Sequence, residues 1–254
     1  DMFAGNNSKI IGLTATPGRH GVDGDQTETD ALVEYYEDNI INMNQFCNPD
    51  TPIKFLQNEK ILSRVKRLKL VTNTNIELSE SDKLRIANNL SISDKLLAEI
   101  GDDTKRNLLI IDQIQKAIQI QDIKKILVFA SSKDNSDLLA ALLSIRGIEA
   151  KSITGVTDPN ERIKAVQDFK TAKFPVLINY NVFTAGFDDP KIDCVFIARP
   201  TYSVVLYSQM IGRGLRGTLN GGTDECLVVD MVDNVQNQPD IEIAGNFFED
   251  NWNI

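Results

Sequence analysis

Ile126-Leu127-Val128-Phe129 is a run of four apolar residues with no polar interruption, entered from Lys124-Lys125 and left through Ala130-Ser131-Ser132. A half-buried strand would alternate apolar and polar residues; a continuous run of this length suits a strand buried on both faces, as in a parallel sheet covered by helices. Working outward, the same signature returns at Ala150–Ile153, Val176-Leu177-Ile178, Cys194–Ile197 and 226–229. Between these runs the apolar residues switch to helical spacing: Leu138, Leu139, Leu142, Leu143 and Ile145, then Ile163, Val166 and Phe169, then Val204, Tyr207 and Ile211. Strands alternating with helices predict a doubly wound parallel α/β sheet over residues 105–235.

Upstream the pattern changes. Ile10-Ile11-Gly12-Leu13 is a further buried-strand candidate, followed by a Gly- and Asp-rich loop over 18–25. Residues 27–103 show no clear α/β alternation; 96–100 is helix-like, and Pro52-Ile53-Lys54-Phe55-Leu56 has an extended look. The expected division is a strand-and-loop segment at 1–20, a mixed, mainly helical insert or connector at 21–104, the α/β domain at 105–235 and an extension at 236–254. The most basic segment, 60–69, contains Lys60, Arg64, Lys66, Arg67 and Lys69 and reads as a solvated face, with backbone binding as the alternative.

Composition narrows the function classes. With 254 residues, 42% of them hydrophobic, the chain can bury one substantial core and is not a disordered protein. No stretch approaches the roughly 20 apolar residues of a membrane span, and Asp1-Met2-Phe3-Ala4-Gly5 lacks the basic-then-apolar pattern of a secretion signal. Cys47, Cys194 and Cys226 are odd in number and widely spaced, which argues against a disulfide framework or a zinc site. The expectation is a cytoplasmic protein with structural thiols and no bound metal of its own. A net charge of −9 counts against a nucleic-acid partner, although hydroxyls and backbone N–H groups can grip phosphates where only one face is basic.

Chemistry concentrates in two stretches. Gln209-Met210-Ile211-Gly212-Arg213-Gly214-Leu215-Arg216 places two guanidinium groups three residues apart, expected on one side of a helical turn, with glycines that permit close backbone approach. Arginine remains charged and presents a rigid fork of donors, which suits the oxygens of a transferring phosphoryl group. Upstream, Thr184-Ala185-Gly186-Phe187-Asp188-Asp189-Pro190 follows a strand, and loops at the C-terminal ends of parallel strands are where doubly wound folds hold ligands. There Asp188 can accept from a ribose hydroxyl and Thr184 can donate to a phosphate.

Five stretches in fixed order resemble the motifs of superfamily II helicases: Leu13-Thr14-Ala15-Thr16-Pro17, Val128-Phe129-Ala130-Ser131-Ser132, Ile153-Thr154-Gly155, Thr184 to Asp188, and Gln209 to Arg216. Gly-Phe-Asp-x-Pro and Gly-Arg-Gly-Leu-Arg give the flavour of the branch containing DNA-repair helicases and the translocase subunits of restriction enzymes. The resemblance implies that 105–235 is the second, C-terminal RecA-like lobe of an ATP-dependent DNA helicase or translocase, RNA being the other possible strand. It implies that Arg213 and Arg216 are arginine fingers, with Gln209 positioning phosphate or water and Gly186, Asp188 and Gly212 facing the nucleotide. Ser131, Ser132, Thr154, Gly155 and Thr184 would track the nucleic-acid backbone, and Thr14 and Thr16 would relay the nucleotide state between lobes. Ser131-Ser132 also reads as a helix N-cap, since capping and phosphate binding use the same free N–H groups.

No glycine is followed by lysine, so a phosphate-cradling G-x-x-x-x-G-K-[ST] loop is missing from the sequence, and the one Asp-Glu pair, Asp224-Glu225, precedes its strand instead of following it. ATP and Mg2+ are therefore expected to be held mainly by an N-terminal RecA-like lobe outside this chain, of which Ile10 to Pro17 resembles the end. The chain alone is expected to be inactive, and subunits of a repair or restriction complex are possible partners. Two other readings stand beside this one: a non-catalytic RecA-like docking module for nucleic acid or protein, and an unrelated nucleotide-cofactor enzyme, for which the expected G-x-G-x-x-G after the first strand is missing.

Overall fold

The computed structural model describes residues 34, 52–88, 90–183, 187–235 and 244–248. The chain divides into the units Asp1–Ile41 and Asn42–Ile254, and the sheet lies in the second. Its elements are α1 (Pro52–Asn58), β1 (Arg64–Ile76), α2 (Glu80–Ala87), α3 (Asp94–Gly101), α4 (Thr104–Gln119), β2 (Ile126–Phe129), α5 (Lys133–Ile145), β3 (Ala150–Ile153), α6 (Pro159–Lys170), β4 (Val176–Asn179), β5 (Cys194–Ile197), α7 (Val204–Ile211) and β6 (Glu225–Val235), with 3-10 turns at Thr218–Asn220 and Ala244–Phe248. The six strands are ordered β1-β6-β5-β2-β4-β3, and every pairing is parallel. This is the doubly wound parallel α/β fold that the strand-helix alternation predicts, and it agrees with the RecA-like lobe that the resemblance implies.

Its center follows from the apolar runs. Every residue of β2, β5 and the first three of β4 is an apolar or sulfur-bearing side chain that is buried, and successive residues feed opposite faces. Leu127, Phe129, Leu177, Val195, Ile197 and Val228 join Phe169 of α6 and Tyr207, Met210 and Ile211 of α7 in one layer. Ile126, Val128, Val176, Ile178, Cys194, Phe196 and Val229 join Ile110, Ile111 and Ile114 of α4 and Leu139 and Leu143 of α5 in the other. A smaller cluster of Ile76, Ile92, Leu97, Ile100 and Tyr202 seats the upstream helices at the C-terminal ends of the strands.

Two upstream expectations change. Pro52-Ile53-Lys54-Phe55-Leu56 is helical, within α1, because proline's fixed φ suits the first helical turn, where its missing N–H has no partner to lose. The basic segment is largely strand: Arg64 to Ile76 forms β1, the edge of the sheet, in register from Arg64↔Glu225 to Ile76↔Val235. The 21–104 region thus contributes to the main sheet as well as supplying helices. Charges on an edge strand are expected, since they discourage pairing with another chain, but here they are also answered from β6 and the residue that precedes it. Arg64 pairs with Asp224, Lys66 with Glu225 at 2.5 Å, and the buried Arg67 with Asp230 at 2.5 Å. A second buried pair, Arg106 with Asp233, is bidentate at 2.9 and 3.0 Å and ties α4 to β6.

Candidate functional site

Helix α7 starts at its cap Ser203, whose hydroxyl accepts from the N–H of Leu206, and ends at Ile211. The arginine pair therefore lies beyond the helix. This corrects the expected helical-turn placement: Arg213 sits in a tight turn closed by the Arg213 N–H to Met210 carbonyl and Gly214 N–H to Ile211 carbonyl bonds, and Arg216 follows in irregular chain. The break is local, where the chain passes closely over the side chains on one face of the paired strands β5 and β6. A Cβ on Gly214 would stand 2.5 Å from Val195 Cγ2 and 2.8 Å from Cys226 Sγ, so only glycine fits. Gly212 forms the C-cap with right-handed dihedrals, and Gln209 is half-buried on the last turn.

Both arginines turn toward the same neighbour. Arg213 Nη1 donates to the Phe187 carbonyl at 2.9 Å, and Arg216 Nε lies 3.3 Å from Asp188 Oδ1. Arg213 is half-buried, and its pKa is pulled down first by burial and then by the Arg216 charge, against the opposing pull of Asp188. Arg216 and Asp188 remain open, with side chains 38% and 67% exposed. The Arg216 carbonyl accepts from Ser63 Oγ at 2.8 Å and from the Thr223 N–H at 2.9 Å, which seats the pair at the N-terminal ends of β1 and β6.

That location refines the expectation for Asp188. The loop does leave the C-terminal end of β4, where Asn179 bridges to β2 through its Nδ2 bond to the Val128 carbonyl and accepts from the Phe183 N–H. By Asp188 and Asp189, however, it has reached the opposite edge of the sheet. Asp189 pairs at 2.8 Å with Lys125, the residue preceding β2, and both side chains are only 4% exposed. Phe183 and Phe187 stack with ring centroids 4.3 Å apart in the core layer beneath. Thr184 and Gly186 lie outside the described residues, as do Thr14 and Thr16.

The hydroxyl-bearing residues gather at the C-terminal edge, with one correction. Ser131 is completely buried, and its Oγ donates to the Ala198 carbonyl at 3.0 Å, so its hydroxyl joins β2 to β5 and does not face a ligand. Two residues past β2 the chain is still inside the sheet's layers, and the burial of Phe129 and Ala130 carries on through Ser131. Ser132 caps α5, accepting from the Asn135 N–H at 3.0 Å, as the N-cap reading expects, and is half-buried. Thr154 is 3% exposed, and its carbonyl receives the Arg162 guanidinium. Gly155 is exposed, with nothing within 4 Å of the position a Cβ would take and no left-handed dihedral to require glycine. Nothing in the fold demands that residue.

Sequence reasoning missed the supports. Lys125, Asn181 and Arg199 belong to none of the five stretches, and their partners are 18 to 108 residues away. The only available signal was a lysine and an arginine bordering strands buried on both faces, where a charge cannot be left without a partner. Cys194 and Cys226 are buried free thiols whose pKa values burial raises, Cys226 to about 12, which makes them inert packing residues.

Residues 109–218 match the family model described as the helicase conserved C-terminal domain. IRC3 of Saccharomyces cerevisiae, whose name assigns it to the ATP-dependent helicases, is 33% identical over 161 residues, covering 63% of this chain and 23% of that protein. The irc3 relative from Schizosaccharomyces pombe, named as a mitochondrial ATP-dependent helicase, is 44% identical over 110 residues, 43% of this chain and 18% of that one. The ATP-dependent RNA helicase DRS1 of Candida albicans is 27% identical over 135 residues, 52% of this chain and 21% of its own length. The chain thus spans about a fifth of the length of these relatives.

Proposed function

Since residues 109–218 form a helicase conserved C-terminal domain, we propose that the chain acts as the C-terminal motor lobe of an ATP-dependent nucleic-acid helicase or translocase, completing an ATPase site held mainly by another RecA-like lobe. The observation that carries this reading is the meeting of Arg213 and Arg216 with Phe187 and Asp188, where Arg216 and Asp188 stand open to solvent. Arg216 holds a solvated carboxylate at 3.3 Å, a partner that a phosphate oxygen can replace without stranding a buried charge. Arg213, pinned to a carbonyl, is oriented before any ligand arrives. MgATP supplies the phosphoanhydride that is cleaved. Toward it this chain contributes the Arg216 charge, the fixed Arg213 fork, Asp188 as a ribose acceptor, Gly186 and Gly212 as close-approach positions, and Gln209 to orient phosphate or water.

At the opposite edge, Ser132 and Gly155 form the strand-gripping side, using N–H groups and hydroxyls that read no sequence; Thr154 and Thr184 are assigned to it on the motif resemblance alone. Thr14 and Thr16 couple the lobes. DNA is the favoured strand, on the Gly-Phe-Asp-x-Pro and Gly-Arg-Gly-Leu-Arg flavour, while the relatives include proteins named as RNA helicases. A role with restriction or repair subunits follows from the same flavour. The work is divided along 1–20, 21–104, 105–235 and 236–254, with the third segment as the motor lobe. We place the protein in the cytoplasm; among the described residues no helix is long and apolar enough to cross a membrane.

The test is Arg216→Ala in the full-length gene product, with strand-stimulated ATP turnover and ATP affinity measured separately. Turnover falls by roughly 10³-fold with much less change in ATP affinity; near-wild-type turnover removes Arg216 from the mechanism.

A further inference from the structure

The loop that leaves β4 at the strand-gripping edge and ends at the arginine pair is held at each end by a buried cation. We infer that Arg199 and Lys125 are its positioning residues, Arg199 for the strand side through Asn181 and Lys125 for the nucleotide side through Asp189. This rests on the function proposed above for the two edges and adds residues that the motif pattern does not contain.

Arg199 lies two residues past the end of β5 and is 4% exposed. Its Nη1 donates to Asn181 Oδ1 at 2.7 Å and its Nη2 to Ser91 Oγ at 2.8 Å; its guanidinium lies over the Tyr180 ring at 5.7 Å, and Nε has no partner. Among the described residues it forms no ion pair. A buried guanidinium served by neutral acceptors costs stability compared with an apolar side chain of similar size, so packing alone does not account for it. What it holds is conformationally unusual: Asn181 has φ +55°, a left-handed geometry that asparagine tolerates better than most residues. Ser91 stands two residues before the cap of α3, and Tyr180 Oη donates to Asp94 Oδ1 at 2.9 Å from the same helix. The upstream helices are thereby tied to the start of the loop.

Lys125 is the counterpart at the other edge. Its Nζ lies 2.8 Å from Asp189 Oδ2 and 2.8 Å from the Lys170 carbonyl, and sits over the Phe169 ring at 5.3 Å. Asp189 Oδ1 accepts from the Lys191 N–H at 3.1 Å, so both carboxylate oxygens are committed. The neighbouring Asp188, paired with Arg216, inherits its position from this anchor. Because the anchors lie at opposite ends, their loss affects different steps, which a general loss of stability would not do.

The experiment uses the full-length gene product. Asn181→Gly keeps the left-handed geometry available and deletes the side-chain acceptor of Arg199 together with the Asn181 contact to Tyr180; Asp189→Asn keeps shape and removes the charge opposite Lys125. For Asn181→Gly the strand concentration at half-maximal ATPase stimulation rises about 10-fold, the equivalent of one hydrogen bond to a charged group, with turnover at saturating strand within about twofold. For Asp189→Asn turnover falls by roughly 10-fold to 10²-fold, as when a reacting group is displaced by about 1 Å, with the half-maximal strand concentration within about twofold. Parallel changes in both quantities for both variants, tracking a lowered Tm, overturn the inference, and so do wild-type values for both. Arg216→Ala run alongside separates the cases: if it is inactive, a negative result condemns the anchors alone, and if it is active, the motor reading itself fails.

Discussion

The two edges of the sheet treat their glycines in opposite ways. At the N-terminal edge Gly214 is walled in by Val195, Cys226 and Ile192, because the chain presses onto the face of the β5–β6 pair before presenting Arg216. At the C-terminal edge Gly155 meets nothing within 4 Å. One glycine answers to the interior of the protein and the other to nothing in it. The same contrast runs through the serines: Ser131 spends its hydroxyl inside the sheet, while Ser132, one residue later, caps a helix with a half-buried side chain. Identity of residue type, even between neighbours, says little about which of them a ligand could touch.

Substitutions can break this contrast, the largest effect coming first. Gly214→Ala forces a Cβ against Val195 and Cys226 and should cost about 3 kcal/mol, the upper range for overpacking, read as a lower midpoint in urea unfolding. A midpoint within error of the parent would show that the crossing is looser than drawn. Ser131→Ala leaves the buried Ala198 carbonyl without this donor and should cost about 1–2 kcal/mol, while strand affinity measured by fluorescence anisotropy holds at the parent value. A weakened affinity there, at unchanged stability, would return Ser131 to the groove. Gly155→Ala should leave stability within roughly 0.5 kcal/mol, since no neighbour is crowded, yet weaken strand binding severalfold. Unchanged binding in that variant would take the β3 end out of the interface.

The center of the fold was legible because β2, β4 and β5 are buried on both faces, and water-free surroundings leave an uninterrupted apolar signature. β1 was not, because an edge strand carries Arg64, Lys66 and Lys69 on an exposed flank and so reads as a charged surface segment. The arginine pair and the Phe187-Asp188 pair were both visible as motifs, and the structure brings them together. That Asp188 stands at the opposite edge from the end of β4 was hidden, since the spacing of a loop does not reveal where it travels. The buried Lys125–Asp189 pair, 64 residues apart in sequence, leaves no local trace for the same reason.

The pairing of β1 with β6 carries a consequence for how the molecule is made. Arg64 lies opposite Glu225, 161 positions later in the sequence, so the second-to-arrive partner emerges from the ribosome roughly 10–30 s after the first at ordinary synthesis rates. Throughout that wait the nascent β1 has no neighbour on the side that β6 will occupy, and closure of so long a chain segment makes this among the last pairings to form. The lysines and arginines along it keep such an orphaned ribbon from sticking to its copies on neighbouring ribosomes until the final strand arrives to zip it shut.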